Sequence, residues 1–261
     1  MPHIVAGWHD ELPSDIRNGL GIFRHRVFVQ RLGWTLPDAT KGVTTEWDQF
    51  DCKGTIQIVA LTPGQSVCGC ARLMPTTGPY LLKDVFPELS GPNAPPVSPS
   101  VWELSRFAGS GSLDDQSDAA PGMRLFPYAL ALASSLGAAS VIGVVTRSVA
   151  RLYRQSGLEL QSIGPAVGTC RQPFLACAID LTPAMFERLG CDPADLLGSI
   201  SWIGPRPSSG IFPDLAPSPD MPTASEPTAR STPSQVLSRS AESGARRHVD
   251  CPPSDERRSR A

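Results

Sequence analysis

Apolar positions recur in two rhythms along the chain. Ile16, Leu20, Phe23, Val27 and Leu32 return every three to five residues until Gly33, which predicts an amphipathic helix over 14–32 with Ser14 as its N-cap. Arg24 and Phe28, four apart, share one side of it. A period of two then takes over: TIQIVAL (55–61), the turn TPGQ and SVCGCARLMP (66–75) predict a hairpin. Val67, Gly69, Ala71 and Leu73 fall on one face, with Arg72 on the other and Cys68 and Cys70 sharing a face. In the strand candidate VWELSRFA (101–108), strict alternation puts Glu103 and Ser105 on one side and Trp102, Leu104 and Arg106 on the other. An apolar helix over 122–136 starts or kinks at Pro127. The strand SVIGVVT (140–146) runs into a helix ended by Gly157. FLACAIDL (174–181) reads as a last, fully buried strand, and Thr182 with Pro183 opens a helix. Mixed strands and helices in this order predict one α/β or α+β domain with a central sheet.

Composition divides the chain. From about Ile203 onward Pro, Ser and Arg dominate, and the 27 prolines in 261 residues crowd toward this end. Such a segment has too little apolar surface to balance the entropy of ordering it. The expected organisation is a domain over 1–203 and a disordered tail over 204–261. With 41% hydrophobic residues the rest has enough material for a core. A net charge of -2 advertises no nucleic-acid partner, and neither a signal peptide nor an apolar run of membrane-spanning length is visible. The expectation is a soluble, cytoplasmic protein that binds no membrane. The seven cysteines, odd in number and without CxxC spacing, read as reduced core thiols.

Familiar catalytic signatures are missing. There is no GxSxG, HExxH, P-loop or GxGxxG, and the four histidines form no ligand-like pair, so no metal is expected. What stands out is a set of charged residues in apolar or aromatic surroundings: Arg24, Asp48, Asp51, Arg72, Glu103 and Arg106. Charges are rarely buried unpaired, so Arg72, Glu103 and Arg106 need partners, and Asp48 and Asp51 in WDQFD can supply them. Two readings stay open: a salt-bridge network that fixes the sheet, or an electrostatic clamp for a cationic or zwitterionic substrate faced by Phe28 and Trp34.

At these residues the chain resembles the LuxI-type acyl-homoserine-lactone synthases, the autoinducer synthases of bacterial quorum sensing. The matching stretches are RHRVFVQRLGW (24–34), DQFD (48–51), CARLMPTTGPYLLKDVFP (70–87), WELSRFA (102–108) and IGVVTRSVARLYRQSGL (142–158). The resemblance spans most of residues 5–190, leaves out the tail, and matches the family pattern at Arg24, Phe28, Trp34, Asp48, Asp51, Arg72, Glu103 and Arg106. It implies a GNAT-like acyltransferase fold, a mixed sheet split into a V-shaped cleft with helices on its faces. It also implies acyl carrier protein as acyl donor and S-adenosylmethionine as the amine substrate, with no cofactor. The amine is acylated, then its carboxylate closes the lactone and releases 5'-methylthioadenosine. Two alternatives are a GNAT-like transferase fed by acyl-coenzyme A and a non-catalytic signal-binding relative.

Under that resemblance, Glu103, Asp48 and Arg106 form the expected catalytic set. The substrate ammonium must lose a proton before it attacks, which makes Glu103 the candidate base and Asp48 the alternative. A backbone N–H around Phe107 is the candidate oxyanion donor. Arg24, Phe28 and Trp34 would wall the S-adenosylmethionine site, with Asp51, Arg72 and Arg106 as ordering residues. Gly143, Met123, Leu125, Leu130, Val144 and Leu175 are candidate acyl-pocket residues. In the family a Thr at the position of Gly143 accompanies 3-oxo substrates, so glycine implies an unsubstituted, medium-length chain. Arg147, Arg151 and Arg154 can share one helix face as a docking site for the acidic carrier protein.

Overall fold

The computed structural model describes residues 2–34, 43–110, 122–167 and 173–206. The tail assigned to 204–261 lies, beyond Arg206, outside the described residues, as do Cys170 and Cys251.

Eight strands form one mixed sheet: β1 (His3–Trp8), β2 (Ile56–Leu61), β3 (Val67–Pro75), β4 (Val101–Gly109), β5 (Ser140–Thr146), β6 (Gln161–Ser162), β7 (Phe174–Asp180) and β8 (Ile200–Ile203). Their order is β6-β7-β5-β4-β3-β2-β1-β8. The predicted hairpin is β2 with β3, antiparallel from Ile56 opposite Leu73 onward. The strands β1 and β8, which the alternation did not disclose, pair in parallel at the sheet's edge. The FLACAIDL strand is therefore not the last, and it is only partly buried.

Helix α1 (Ser14–Arg24) begins one residue earlier than expected. Pro13 occupies the cap position, Ser14 is the first helical residue, and no side chain caps the end. The predicted helix to residue 32 changes winding at His25: residues His25–Arg31 form a π-helical turn, with the Leu32 N–H reaching back to the Val27 carbonyl at 3.0 Å. Helix α2 (Leu81–Asp84) is short. Helix α3 (Phe126–Ser135) carries Pro127 in its first turn, where no N–H is missed. Helix α4 (Arg147–Gln155) is followed by Gly157 in the left-handed region at φ 89°, which few other residues adopt. In α5 (Pro183–Arg188) the Thr182 hydroxyl accepts the Met185 N–H, the expected cap; α6 (Pro193–Gly198) follows.

Three apolar clusters hold these layers. One face of the sheet packs against α3 and its neighbours through Ile56, Leu73, Trp102, Leu125 and Leu130. The other face carries two clusters, one under α1 and the π turn around Leu20, Phe23 and Phe28. The second lies under the 80–90 segment around Tyr80, Leu82 and Ile142. Charged side chains occupy the seam between these two.

Two irregularities set the site. Strands β4 and β5, parallel neighbours, pair only from Val101 with Ser140 to Glu103 with Ile142, although β4 continues to Gly109 and β5 to Thr146. Past Glu103 the ladder opens, which is the cleft the resemblance implies. On the other side of β4, Cys70 pairs with Ala108 but Arg72 with Ser105, so Arg106 and Phe107 stand opposite Ala71 alone. This is a β-bulge, with Arg106 at φ 48°. A second bulge at Cys68 puts that thiol in the α3-side cluster and Cys70 in the α1-side cluster, not on one face as alternation predicts. Cys68, Cys70 and Cys177 are buried free thiols, whereas Cys52 is exposed and is no core residue.

Candidate active site

Six charged side chains close a ring in the seam. Arg24 meets Glu46 at 2.5 Å, Glu46 meets Arg106 at 2.9 Å, and Arg106 meets Asp48 at 2.6 Å. Asp48 meets Arg72 at 2.5 Å, Arg72 meets Asp51 at 3.1 Å, and Asp51 returns to Arg24 at 2.7 Å. Cations and anions alternate three against three, so the ring is neutral as a whole. Arg24 and Arg72 are fully buried and Glu46 is 1% exposed. The pairs are specific as well as close: Arg24 gives both Nη groups to the two Asp51 oxygens, the fork geometry that suits carboxylate.

The local sequence explains each position. Arg24 is the last α-helical residue before the π turn. Gly21, one turn earlier, makes room for the 45–48 segment: a Cβ there would lie 2.8 Å from the Trp47 ring, and the Gly21 carbonyl accepts the Glu46 N–H at 3.0 Å. The Asp48 carboxylate accepts the Phe50 N–H and Asp51 accepts the Asp48 N–H, so the WDQFD turn orients its own acids. Arg72 comes from β3, where Ser105 of β4 accepts its Nε–H. Alternation predicts Arg106 on the side of Trp102 and Leu104; the bulge turns it onto the face of Arg72 and Ser105.

Each arginine also covers an aromatic ring. Arg24 lies 5.0 Å from the Trp47 ring centre and Arg72 5.7 Å from Phe50. Phe28 and Trp34 stack with centroids 4.7 Å apart, and Arg106 sits 5.2 Å from the Trp34 ring and 5.5 Å from Phe28. The cation these two aromatics face is therefore one of the protein's own. Burial works against charge at Asp51, yet Arg72 and Arg24 outweigh it and hold that carboxyl well below the ordinary range. Asp48 is likewise lowered, burial being overcome by Arg72 and Arg106. The same balance, with Asp51 and Glu46 prevailing, raises the Arg24 guanidinium. Of the two readings the sequence left open, the salt-bridge network exists in full.

Glu103 stands apart from the ring. It is fully buried on β4, opposite Met74, and its two oxygens accept the backbone N–H groups of Leu81 and Leu82 at the start of α2. Burial pushes its carboxyl up, against these N–H donors and Arg72, to about 7. It is placed where the β4–β5 ladder ends. A carboxyl in that range can exchange a proton near neutrality; Asp48, held in its ionised form by two guanidiniums, is a far weaker proton acceptor.

The 12–189 stretch matches the family model described as autoinducer synthase. The chain belongs to that family. Among relatives, an acyl-homoserine-lactone synthase of Ralstonia solanacearum is 43% identical over 183 residues, 69% of this chain and 89% of its own length. One of Pseudomonas aeruginosa is 46% identical over 169 residues, 65% of this chain and 80% of its own. A crystal structure of TofI with an inhibitor and MTA superposes with a TM-score of 0.64 at 36% identity, covering 74% of this chain and 98% of that one. As an autoinducer synthase, the chain is an acyltransferase of GNAT-like fold.

The remaining expectations scatter differently. Phe107 lies in the bulge beside Arg106. Met123, Leu125 and Leu130 are buried on the α3 side of the sheet, whereas Val144 packs into the cluster of the opposite face, so these residues do not line one wall. Gly143 lies in the β5–β7 ladder opposite Cys177, and a Cβ there would come within 3.1 Å of the Leu104 carbonyl. Leu175 pairs with Val145 and is partly buried. Arg147, Arg151 and Arg154 are exposed on α4. Among the described residues no group of acidic, His and Cys side chains is placed to hold a metal, and no helix is long and apolar enough to cross a membrane. Spacing and charge pattern did not single out Glu46 and Trp47 as site residues. Their signal is the run EWDQFD, where three acids are interspersed with two aromatic rings.

Proposed function

We propose that this autoinducer synthase moves an unsubstituted, medium-length acyl chain from acyl carrier protein to the amine of S-adenosylmethionine and then closes the lactone, without a cofactor. The observation that carries this reading is the buried carboxyl of Glu103, raised to about 7 where the β4–β5 ladder opens. Glu103 takes a proton from the substrate ammonium, and the freed amine attacks the thioester carbonyl carbon. The C–S bond of the thioester breaks, the carrier's thiolate takes that proton and leaves as a thiol, and the attacking nitrogen gives up its second proton to Glu103, and from there to solvent, as the amide forms. A backbone N–H at the 106–107 bulge meets the transient oxyanion. The methionyl carboxylate oxygen then displaces sulfur from the γ-carbon. The C–S electron pair stays on sulfur, and 5'-methylthioadenosine departs neutral.

Gly143 supports the unsubstituted chain, because it brings no hydroxyl to bond a 3-oxo group. The exposed arginines of α4 support an acidic carrier as donor. The test is mass spectrometry of organic extracts from a host without such signals, expressing the intact protein or Glu103→Gln. A homoserine-lactone fragment present with the intact protein alone supports the reading, and the parent mass identifies the chain. A product set dominated by 3-oxo lactones overturns the substrate assignment. Full lactone yield from Glu103→Gln overturns the base.

A further inference from the structure

Among the described residues, Gln65 and Arg106 alone combine a side chain with a positive φ. Gln65 sits in the β2–β3 turn, where the left-handed region is ordinary. Arg106 lies inside a strand at φ 48°, a conformation that disfavours any residue with a Cβ and persists only where its surroundings hold it. Both ends of the residue are held. The guanidinium is tied to Glu46 and Asp48. The carbonyl accepts the thiol proton of Cys70, with Sγ 3.0 Å from the oxygen. Two other buried thiols meet backbone carbonyls at longer range, Cys68 with Ala60 at 3.4 Å and Cys177 with Gly143 at 3.7 Å. Burial pushes the Cys70 thiol up to about 12, so near neutrality it stays protonated, a donor rather than a nucleophile.

The Arg106 carbonyl and the Phe107 N–H belong to one planar trans peptide, so they point in opposite directions and fixing one fixes the other. Cys70 belongs to β3, on one side of β4, and pairs with Ala108 just past the bulge. The Phe107 N–H is therefore turned away from Cys70, and β5, the neighbour on the other side of β4, has no ladder pair with β4 beyond Glu103. Building on the reaction proposed above, in which an N–H of this bulge meets the oxyanion, we infer that Cys70 is a positioning residue for acyl transfer: its thiol sets the tilt of the Arg106–Phe107 peptide and so the aim of the Phe107 N–H. A thiol is a weak donor. It is sufficient here, because it has only to select one orientation of a single peptide plane, and donors at a reacting centre must be aligned to within about 10–20°. Alanine at position 70 removes the donor, and serine keeps one at the same place.

Acyl-transfer kinetics of Cys70→Ala and Cys70→Ser, expressed per folded enzyme, test this. Cys70→Ala should lower kcat by about tenfold, less than the roughly hundredfold or more that deletion of a whole oxyanion donor costs. KM for S-adenosylmethionine and the pH profile governed by Glu103 should stay as in the wild type, and Cys70→Ser should recover most of the rate. A merely structural thiol would lower Tm and leave the rate per folded enzyme unchanged, so a Cys70→Ala enzyme at full rate overturns the proposal, as does Cys70→Ser no faster than Cys70→Ala. Infrared difference spectra of the wild type against Cys70→Ser need no substrate: an S–H stretch at the low frequency of a bonded thiol supports the contact, and a free-thiol frequency overturns it. An ester in place of the Arg106–Phe107 amide deletes the N–H and leaves the thiol where it is. A full rate from the ester brings down the oxyanion reading on which the proposal rests; a slow ester beside a full-rate Cys70→Ala brings down Cys70 alone.

Discussion

Glu46 holds Arg24 with one carboxylate oxygen and Arg106 with the other. It is the link between the end of α1 and the bulge of β4, two elements that share no backbone hydrogen-bond ladder. Removing it leaves two buried guanidiniums facing each other across an unfilled position. Glu46→Ala should therefore destabilise the fold by about 3–5 kcal/mol, read as a lower midpoint in urea unfolding. A cost below about 1 kcal/mol would mean that the ring tolerates opening.

The room that admits Glu46 depends on Gly21, whose missing side chain the Trp47 ring fills. Gly21→Val should push Trp47 and the following acids away from Arg24. Lactone synthesis should fall by at least about tenfold, more than the loss of Tm alone accounts for at the assay temperature. Equal loss of folded protein and of activity would make the effect one of stability only.

Glu103 ties chemistry to pH. With its carboxyl at about 7 in the folded enzyme, the proton-accepting form grows as pH rises through that value, and kcat/KM should rise with it to a plateau. Stability runs the other way. The folded value lies above the ordinary 4.5, so this group's contribution is fully present below about 4.5 and is lost as pH rises through about 7. Glu103→Gln should abolish the kinetic step. Its single carbonyl oxygen can serve only one of the Leu81 and Leu82 N–H groups, so it should also cost about 1 kcal/mol. A pH profile unchanged in Glu103→Gln would remove the assignment.

Asp51 gives the opposite sign. Its carboxyl is held far below the ordinary 3.8, so its stabilisation is present above that value and disappears as pH falls toward its folded value. Acid unfolding monitored by tryptophan fluorescence should be steep in the wild type and flatter in Asp51→Asn, which should already be weaker at neutrality. Identical acid limbs would show that the ring does not govern acid stability.

Charge reversal of Arg147, Arg151 and Arg154 should raise KM for acyl carrier protein several-fold, lower its salt dependence and leave KM for S-adenosylmethionine alone. An unchanged salt dependence would move docking to another surface.

Much of the frame was legible in the sequence because it depends on local order. The β2–β3 hairpin, the passage from β5 into α4 with its terminal glycine, and the Thr182 cap follow from spacing within a few residues. So did the need of Arg72 and Arg106 for buried partners, since charge amid apolar residues has few other solutions. The β1 strand and the short β8 strand were not legible, because each is stabilised by a partner far along the chain. The π turn escaped because its period differs from the helical one only by a fraction of a turn at its apolar positions.

What the sequence by itself determined is the set of charged side chains, their apolar surroundings and the strands and helices that carry them. Tertiary structure alone decided which acid meets which arginine, the face that Arg106 takes, and the separation of Glu103 from the ring. The reason is physical. A bulge shifts a strand's register by one residue and so exchanges faces, and it is set by pairing with a neighbour. Likewise a ring of six charges closes only when side chains from four separate segments come within about 3 Å of each other.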